Sequence, residues 1–273
     1  MKTLSPKKFS ILGCGWLGLP LAQHLILNNH QVKGSTTSHE KIDLLEKNGI
    51  APSIINIENN QVNSNLSSFL STDILVIDVP FGKQKENFEA YKQLALDVEK
   101  SSIKKVIFIS STSVYSDTNS VITEDSSFEI NPAKKVLIGL ENLFLNHSGF
   151  ETTVLRFSGL IGGTRNPGNF FKEDRVVKNG LAPINLIHLD DCIEIIKLLA
   201  EAEFKGDIFN ACADSHPTRK EFYTAATLIQ NKIPATFIEN KEFSYKIISN
   251  QKLKRKLNYT FIYSDLMEMV KIE

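Results

Sequence analysis

Residues 9–20 read Phe-Ser-Ile-Leu-Gly-Cys-Gly-Trp-Leu-Gly-Leu-Pro, an apolar run that passes directly into three spaced glycines. The apolar residues 9–12 predict a short buried strand, and the apolar stretch from Leu19 to Leu27 predicts a helix. Pro20 falls in the first turn of that helix, where a proline is tolerated because its missing N–H would have no partner there. This stretch therefore predicts a strand, a glycine turn and a helix in immediate succession.

The glycine turn has the spacing Gly13-x-Gly15-x-x-Gly18. In a strand–turn–helix context, the first glycine permits the tight turn, the second lets the backbone approach a pyrophosphate, and the third lets the helix pack on the strand. The diphosphate would bind at the helix N-terminus, so Trp16 and Leu17 are also candidate cofactor-binding residues. A P-loop is excluded because no Lys-Ser/Thr pair follows the third glycine. The alternative is a plain strand–turn–helix that binds no ligand.

The residues after the second predicted strand bear on which dinucleotide would bind. Sites that prefer NAD usually carry an acidic residue about 20 residues after the glycine turn, where it holds the ribose 2′-hydroxyl. Here the chain has Ser35 and Thr36, no acid before Glu40, and Lys41 nearby. Hydroxyls and a lysine suit a 2′-phosphate, which favours NADP, with NAD as the alternative. The same residues are also typical of a turn and a helix N-cap.

Strands and helices alternate along the chain. The predicted strands are 9–12, 31–33, 53–57, 73–79, 105–109, 153–157, 183–188, 207–211 and 236–238, and the predicted helices are 19–27, 37–47, 87–100, 133–147, 190–202 and two in the tail. The second helix would begin at a capping box formed by Thr37 and Glu40. This alternation predicts an α/β fold, a Rossmann-type doubly wound parallel sheet. We expect residues 1–157 to form the dinucleotide-binding domain and 158–273 a small C-terminal substrate lobe, with about 183–211 returning to the sheet.

Composition excludes several classes of protein. The 273 residues carry 31 Lys+Arg and 31 Asp+Glu, so the zero net charge argues against a general nucleic-acid or anionic-membrane binder. No apolar run approaches the roughly 18 residues of a membrane helix, and the N-terminus is unlike a secretory signal. Cys14, Cys192 and Cys212 have neither CxxC nor metal spacing, which favours a reducing, cytoplasmic location. Cys14, at a helix N-terminus, is expected to have a lowered pKa.

A polar cluster lies at the carboxyl end of the fifth predicted strand, where open α/β sheets bind their ligands. Residues 108–115 read Phe-Ile-Ser-Ser-Thr-Ser-Val-Tyr. Here the chain resembles the extended short-chain dehydrogenase/reductases, the NAD-dependent epimerase/dehydratase family. Further similar segments are 155–162, 187–191 and 209–210, and together the resemblance spans roughly residues 8–260. It implies that Ser111 is the catalytic Ser/Thr, and it adds Pro80, Ser110 and Leu160 as cofactor contacts.

The chain departs from this family at the Tyr-x-x-x-Lys motif, in which the lysine holds the nicotinamide ribose and the tyrosine exchanges a proton with the substrate. None of the six tyrosines has a lysine four residues later. In the segment where the motif is expected, Lys135 stands at the lysine position and Asn131 at the tyrosine position. The chain is therefore identified as an atypical member, close to bacterial proteins that lack the tyrosine, with Ser111 and Lys135 as its catalytic candidates.

The resemblance implies an NAD(P)-binding oxidoreductase or epimerase-like enzyme that acts on a hydroxylated substrate, free or nucleotide-linked. The missing tyrosine leaves an alternative, a non-catalytic NADP-dependent sensor or regulatory protein. His188 followed by two aspartates could relay protons, although in the family this segment is mainly structural. Arg156 and Arg165 could meet a substrate phosphate, or Arg156 could form a buried ion pair. The histidines lack metal-site spacing, so no metal is expected; oligomeric state is left open.

Overall fold

The structure, a computed structural model, describes residues 6–80, 87–128, 131–202, 206–240 and 242–272. Its strands are β1 (Lys8–Leu12), β2 (Gln31–Thr36), β3 (Ala51–Ile54), β4 (Ile57–Glu58), β5 (Gln61–Val62), β6 (Ile74–Ile77), β7 (Lys105–Ser111), β8 (Ser120–Ile122), β9 (Glu151–Phe157), β10 (Gly159–Ile161), β11 (Val176–Val177), β12 (Leu186–His188), β13 (Asp207–Ala211), β14 (Thr236–Phe237) and β15 (Lys246–Ile248). Its α-helices are α1 (Gly18–Leu27), α2 (Ile42–Lys47), α3 (Phe88–Glu99), α4 (Pro132–Leu145), α5 (Leu189–Glu201), α6 (Arg219–Ile229), α7 (Gln251–Leu257) and α8 (Leu266–Ile272).

The central sheet has seven strands in the order β13-β9-β7-β6-β1-β2-β3. β1 lies in the interior of this order and pairs in parallel with β2 and β6, and β6 pairs in parallel with β7. The middle strands are buried on both faces, as parallel strands covered by helices must be, and Ile11, Val76 and Ile107 are fully inaccessible. The prediction of a Rossmann-type doubly wound parallel sheet is confirmed.

The chain divides into two compact units. The first unit comprises Met1–Ser110, Ile130–Leu155 and Ile195–Ile208, and the second comprises Ser111–Glu129, Arg156–Glu194 and Phe209–Glu273. The first unit holds most of the central sheet. The second unit contains its own two-stranded parallel pairings, β10 with β12 and β8 with β15, and an apolar core that includes Ile161, Phe222 and Leu266.

Several element boundaries differ from the prediction. The second helix does not begin at a Thr37 capping box: a 3₁₀ turn, His39–Lys41, precedes α2, and the hydroxyl of Thr36 accepts the N–H of Ser38 at 3.1 Å. A capping box forms instead at the start of α6, between Thr218 and Glu221. The predicted strand 183–188 is shortened to β12, and the predicted strand 53–57 is displaced to β3. The described part of the tail contains three α-helices where two were predicted.

Candidate functional site

The glycine turn follows β1 and is held by Ser35 at the end of β2. The N–H of Gly13 donates to the hydroxyl oxygen of Ser35 at 2.8 Å, and the N–H of Cys14 donates to the Ser35 carbonyl at 2.8 Å. The N–H of Gly15 donates back to the Gly13 carbonyl at 2.8 Å, which closes the turn. The sequence order strand, turn, helix is therefore realised with the turn anchored to the neighbouring strand.

The three glycines differ in the space around them. A Cβ on Gly13, whose φ is +109°, would lie 2.2 Å from the Asp78 carbonyl oxygen, and a Cβ on Gly18 would lie 2.1 Å from the Gly13 carbonyl oxygen. These two glycines are required by close packing of backbone on backbone. Gly15 is exposed, and a Cβ there would have no atom within 4 Å. The turn is therefore open to a ligand at Gly15, and it is closed at the other two glycines.

The N-cap residue of α1 supplies no side-chain cap. Its N-cap residue, Leu17, makes no side-chain cap hydrogen bond, and its first turn contains no acidic residue. Among the first amides of α1, the N–H of Leu19 donates to the Gly15 carbonyl at 3.2 Å and Pro20 has no N–H. The helix dipole still favours an anion beside this end of the helix. The side chain of Leu17 is buried and that of Trp16 is half-buried, so an anion over this turn would meet backbone. The residues present therefore fit a pyrophosphate.

The predicted 2′-phosphate residues occupy different positions. Ser35 is only 2% exposed and holds the glycine turn, and its hydroxyl still has a proton to donate. Thr36 is buried at the end of β2, with its hydroxyl oxygen accepting from Ser38. Lys41 is exposed on the turn before α2.

The expectation of a lowered pKa for Cys14 is wrong. The side chain is buried beneath the turn, where a Cβ on Gly34 would lie 2.5 Å from its Sγ and 2.7 Å from Ile50. Burial, with a smaller contribution from the Asp78 carboxylate, raises the pKa of the Cys14 thiol to about 12. The thiol points away from the open side of the turn, so the helix N-terminus does not stabilise its thiolate.

The end of β7 lies at the same edge of the sheet as the glycine turn. The register pairs Leu12 with Ile77 and Ile77 with Phe108, so Gly13 is level with Asp78, and Ser110 is one residue further along the edge. Ser110 is 8% exposed, and its hydroxyl donates to Glu141 of α4. Pro80, which follows β6 at this edge, is exposed.

Glu141 is a residue that the sequence analysis missed. It is 1% exposed and lies in the buried stripe of α4 with Leu137, Leu140 and Phe144. The available signal was a charged residue at a position where the helical period requires an apolar one. Its partner Ser110 is 31 positions away in the chain, and no local pattern links the two.

The segment expected to carry the Tyr-x-x-x-Lys motif forms the start of α4. Asn131 is the N-cap, with extended backbone (φ −139°, ψ 158°), and its side-chain oxygen accepts the N–H of Lys134 at 3.0 Å. Pro132 occupies the first turn, where it needs no N–H acceptor. Lys135 is exposed. The Asn131 carbonyl accepts the N–H of Lys135 at 3.0 Å, so Asn131 begins the helix while its own backbone is extended.

Two further candidate residues belong to the second unit. Ser111 is half-buried and caps the 3₁₀ turn Thr112–Val114, because its hydroxyl oxygen accepts the N–H of Ser113 at 3.1 Å. That bond occupies a lone pair and leaves the hydroxyl proton available for donation. Leu160, in β10, is half-buried.

Tyr115 and Arg156 form a buried network within the second unit. The Arg156 guanidinium, 1% exposed, donates to the Tyr115 hydroxyl at 2.5 Å and lies 5.1 Å from the ring centres of Tyr115 and Phe128. The Tyr115 hydroxyl donates to Asn210 at 2.9 Å, and burial raises the tyrosine's pKa. These contacts give Arg156 a structural role, whereas Arg165 is exposed on the loop after β10.

The second of the two aspartates after His188 accepts three hydrogen bonds from the C-terminal segment. The Asp191 carboxylate, fully buried, accepts hydrogen bonds from the Tyr259 hydroxyl at 2.6 Å and from the backbone N–H of Ile262 at 2.7 Å and Tyr263 at 3.1 Å. Burial raises the pKa of Asp191, and these bonds oppose that shift. His188 is 3% exposed, and its ring packs against Gly162. A Cβ on Gly162 would lie only 2.2 Å from the His188 Nε2, so this contact requires glycine.

Two kinds of feature are absent from the described ranges. No group of three or more His, Cys, Asp or Glu side chains there is arranged to hold a metal ion. Among the same residues, no helix combines the length and apolarity that a membrane crossing requires.

Comparison with known proteins gives relatives and structural neighbours along nearly the whole chain. The chain is 32% identical over 271 residues to Protein YeeZ of Escherichia coli strain K12, covering 96% of this chain and 98% of YeeZ. UDP-glucuronic acid 4-epimerase from Bacillus cereus, solved with NAD, superposes with a TM-score of 0.80 at 19% identity and covers 97% of both chains. A short-chain dehydrogenase/reductase superfamily protein from Agrobacterium tumefaciens, solved with bound NAD, has a TM-score of 0.78 at 16% identity and covers 97% of this chain and 96% of its own. No family model matches the chain.

These solved structures share the fold of the extended short-chain dehydrogenase/reductases that the sequence resembles. At identities below 20%, they establish the architecture of this chain and no particular chemistry.

Proposed function

This chain belongs to the family of the Escherichia coli protein YeeZ, and we propose that it is an NAD(P)-binding enzyme of the oxidoreductase or epimerase type. Its substrate in this proposal is hydroxylated, either free or linked to a nucleotide. The solved neighbours from Bacillus cereus and Agrobacterium tumefaciens bind NAD, and the first acts on a UDP-sugar, which supports this class of function for a chain of the same fold.

The open glycine turn carries the proposal. Gly15 leaves room for a pyrophosphate at the carboxyl edge of the sheet, and the N-cap residue of α1 beside it supplies no side-chain cap. The backbone from Gly13 to Gly18, which includes Trp16 and Leu17, would hold the pyrophosphate. Bound NAD(P) would supply a hydride donor or acceptor.

The remaining candidates keep the roles that the family resemblance implies for them. Ser111 would donate its free hydroxyl proton to a carbonyl or hydroxyl oxygen of the substrate, since its lone pair already binds the N–H of Ser113. Lys135, exposed at the start of α4, would hold the nicotinamide ribose. Pro80, Ser110 and Leu160 would contact the cofactor.

The absence of an acid after β2 favours NADP. Ser35 and Thr36 offer hydroxyls there, and Lys41 is exposed close by in the chain. A charge-assisted hydrogen bond to phosphate contributes about 1.5–3 kcal/mol, so NADP should bind at least about ten-fold more tightly than NAD. Calorimetric titration of the protein with each dinucleotide measures this. Equal affinities would contradict the NADP preference alone, and no binding of either would contradict the proposed function.

A second candidate function is favoured by the start of α4. Asn131 is an extended N-cap residue, so the helix carries no tyrosine–lysine pair, and a protein that binds NADP without catalysis is the alternative. A positioned acid–base group contributes about 10²–10⁴-fold to rate, so its loss should leave slow hydride transfer. A screen of sugars, aldehydes and ketones with NADP, repeated with Ser111→Ala, separates the two. We expect the variant to lower turnover at least ten-fold; no transfer and no effect of the variant would favour the sensor.

A further inference from the structure

Glu141, which accepts a hydrogen bond from Ser110, is the one carboxylate on the buried side of α4. Glu141 is 1% exposed, and its neighbours on the buried side of α4 are Leu137, Leu140 and Phe144. Removing a carboxylate from water is costly, and an apolar residue of similar size usually serves stability as well or better. A charged residue in such a stripe therefore points to a requirement of function.

The direction of this bond decides what Ser110 can offer to a ligand. Its hydroxyl donates its single proton to the Glu141 carboxylate, which leaves only oxygen lone pairs. Ser110 is thereby fixed as a hydrogen-bond acceptor. This is the opposite of Ser111, whose lone pair accepts from Ser113 and whose proton is free.

The register places this acceptor on the ligand-binding edge. β7 is separated from β1 by β6 alone, and Ser110 is one residue beyond the level of Gly13. Adjacent strands are about 4.8 Å apart, so Ser110 lies roughly 10 Å along the edge from the glycine turn. That separation corresponds to one sugar beyond a pyrophosphate that binds over Gly15.

We propose that Ser110, fixed by Glu141 as a positioning residue, accepts a hydrogen bond from a hydroxyl group of the sugar attached to the distal phosphate of the dinucleotide. This inference rests on the proposed function, which assigns the adenosine half to the β2 side of the turn. Ser110 and Glu141 would therefore favour ligands that carry a hydroxylated sugar on the distal phosphate of the pyrophosphate.

ADP and ADP-ribose test this directly, because they differ by the distal ribose, and binding is measured without any turnover. One hydrogen bond of ordinary net strength corresponds to about five-fold in affinity. We expect the native protein to bind ADP-ribose at least about five-fold more tightly than ADP in calorimetric titrations. Ser110→Ala and Glu141→Leu should each lower this preference about five-fold, the share of one hydrogen bond, while leaving ADP affinity and any contact of Lys135 with the same ribose nearly unchanged. Glu141→Gln retains an acceptor oxygen and should keep most of the preference.

Thr152→Val is the matched control. Thr152 is 1% exposed, and its hydroxyl donates to the Phe144 carbonyl of α4 at 2.9 Å, so the variant removes a buried hydrogen bond from the same helix. Thr152 lies near the start of β9, at the opposite edge of the parallel sheet. The Thr152→Val variant should therefore keep the native preference for ADP-ribose over ADP.

The outcomes separate this inference from the function on which it rests. If ADP binds and ADP-ribose gains nothing, or if Ser110→Ala keeps the full preference, the assignment of Ser110 and Glu141 is wrong and dinucleotide binding stands. If ADP, ADP-ribose and NADP all fail to bind, both proposals are wrong. Ser110→Ala removes a single hydroxyl group, so this variant tests the role of Ser110 in ADP-ribose binding even if Glu141→Leu does not fold.

Discussion

At the scale of single residues, the three glycines of the turn have separable roles. Gly13 and Gly18 are in contact with backbone atoms, and an added methyl group at either would lie 2.1–2.2 Å from a carbonyl oxygen. Gly15 has open space around it, and its φ is not in the left-handed region. Packing therefore explains two of the glycines and does not explain Gly15, where the proposed function places the pyrophosphate.

We predict that Gly15→Ala binds NADP at least ten-fold more weakly while its thermal midpoint stays close to that of the native protein. The methyl group meets no protein atom but occupies the position of the pyrophosphate, and replacing glycine at an unstrained position tends to stabilise by about 0.4–1 kcal/mol. Calorimetric titration and thermal unfolding measure the two effects. Gly18→Ala is the contrasting variant and should lower the midpoint clearly. Native NADP affinity in Gly15→Ala would show that the turn is not the pyrophosphate site.

At the scale of elements, Asp191 ties the start of α5 to the segment between α7 and α8. One carboxylate receives three hydrogen bonds, from Tyr259, Ile262 and Tyr263. All of these residues belong to the second unit, and the bonds span about 70 positions of the chain. The double aspartate thus anchors the C-terminal segment.

We predict that Asp191→Asn lowers the free energy of unfolding by about 3 kcal/mol. An amide has one acceptor oxygen, so its NH₂ group would face a donor where the second carboxylate oxygen now accepts from Tyr263. Urea unfolding of native and variant protein gives the difference. Asp190→Asn is the control, because the Asp190 side chain is 51% exposed, and it should cost less than about 1 kcal/mol. Equal losses of unfolding free energy in the two variants would show that the hydrogen bonds to Asp191 do not anchor the C-terminal segment.

At the scale of the whole molecule, the buried thiols link stability to alkaline pH. Burial raises the pKa of Cys14 and of Cys212 from the ordinary 9.0 to about 12. Between these values the unfolded chain loses protons that the folded chain retains, so stability is complete below pH 9 and declines as pH rises towards 12.

We predict that the free energy of unfolding falls by about 1 kcal/mol per thiol for each pH unit above pH 9. Urea unfolding at pH 8, 9 and 10 measures the slope. The double variant Cys14→Ala/Cys212→Ala should have a shallower slope over this range, because its unfolded chain has two fewer thiols to ionise. An unchanged slope in the double variant would mean that other groups account for the alkaline destabilisation.

Local patterns were sufficient for the framework of this protein. The run from Phe9 to Gly18 predicted β1, the turn and α1, because a buried strand, a φ of +109° at Gly13 and a helix start all depend on neighbours within a few residues. The alternation of strands and helices likewise predicted the parallel sheet. Helix ends were less accurate: Thr37 and Glu40 have the spacing of a capping box, but the Thr36 hydroxyl takes the N–H of Ser38 and delays α2 to Ile42.

The direction and partner of each side chain at the site were decided by tertiary structure alone. Sequence placed Cys14 at a helix N-terminus, but Gly34 of the neighbouring strand provides the space that draws its thiol into the interior. Ser35 was predicted to meet a phosphate and also holds the turn, through a bond to Gly13 across 22 positions. The hydrogen bond between Glu141 and Ser110 joins residues 31 positions apart, and it forms because α4 packs against the end of β7. Such pairings depend on how separate strands and helices stack, and local propensity carries no information about that stacking.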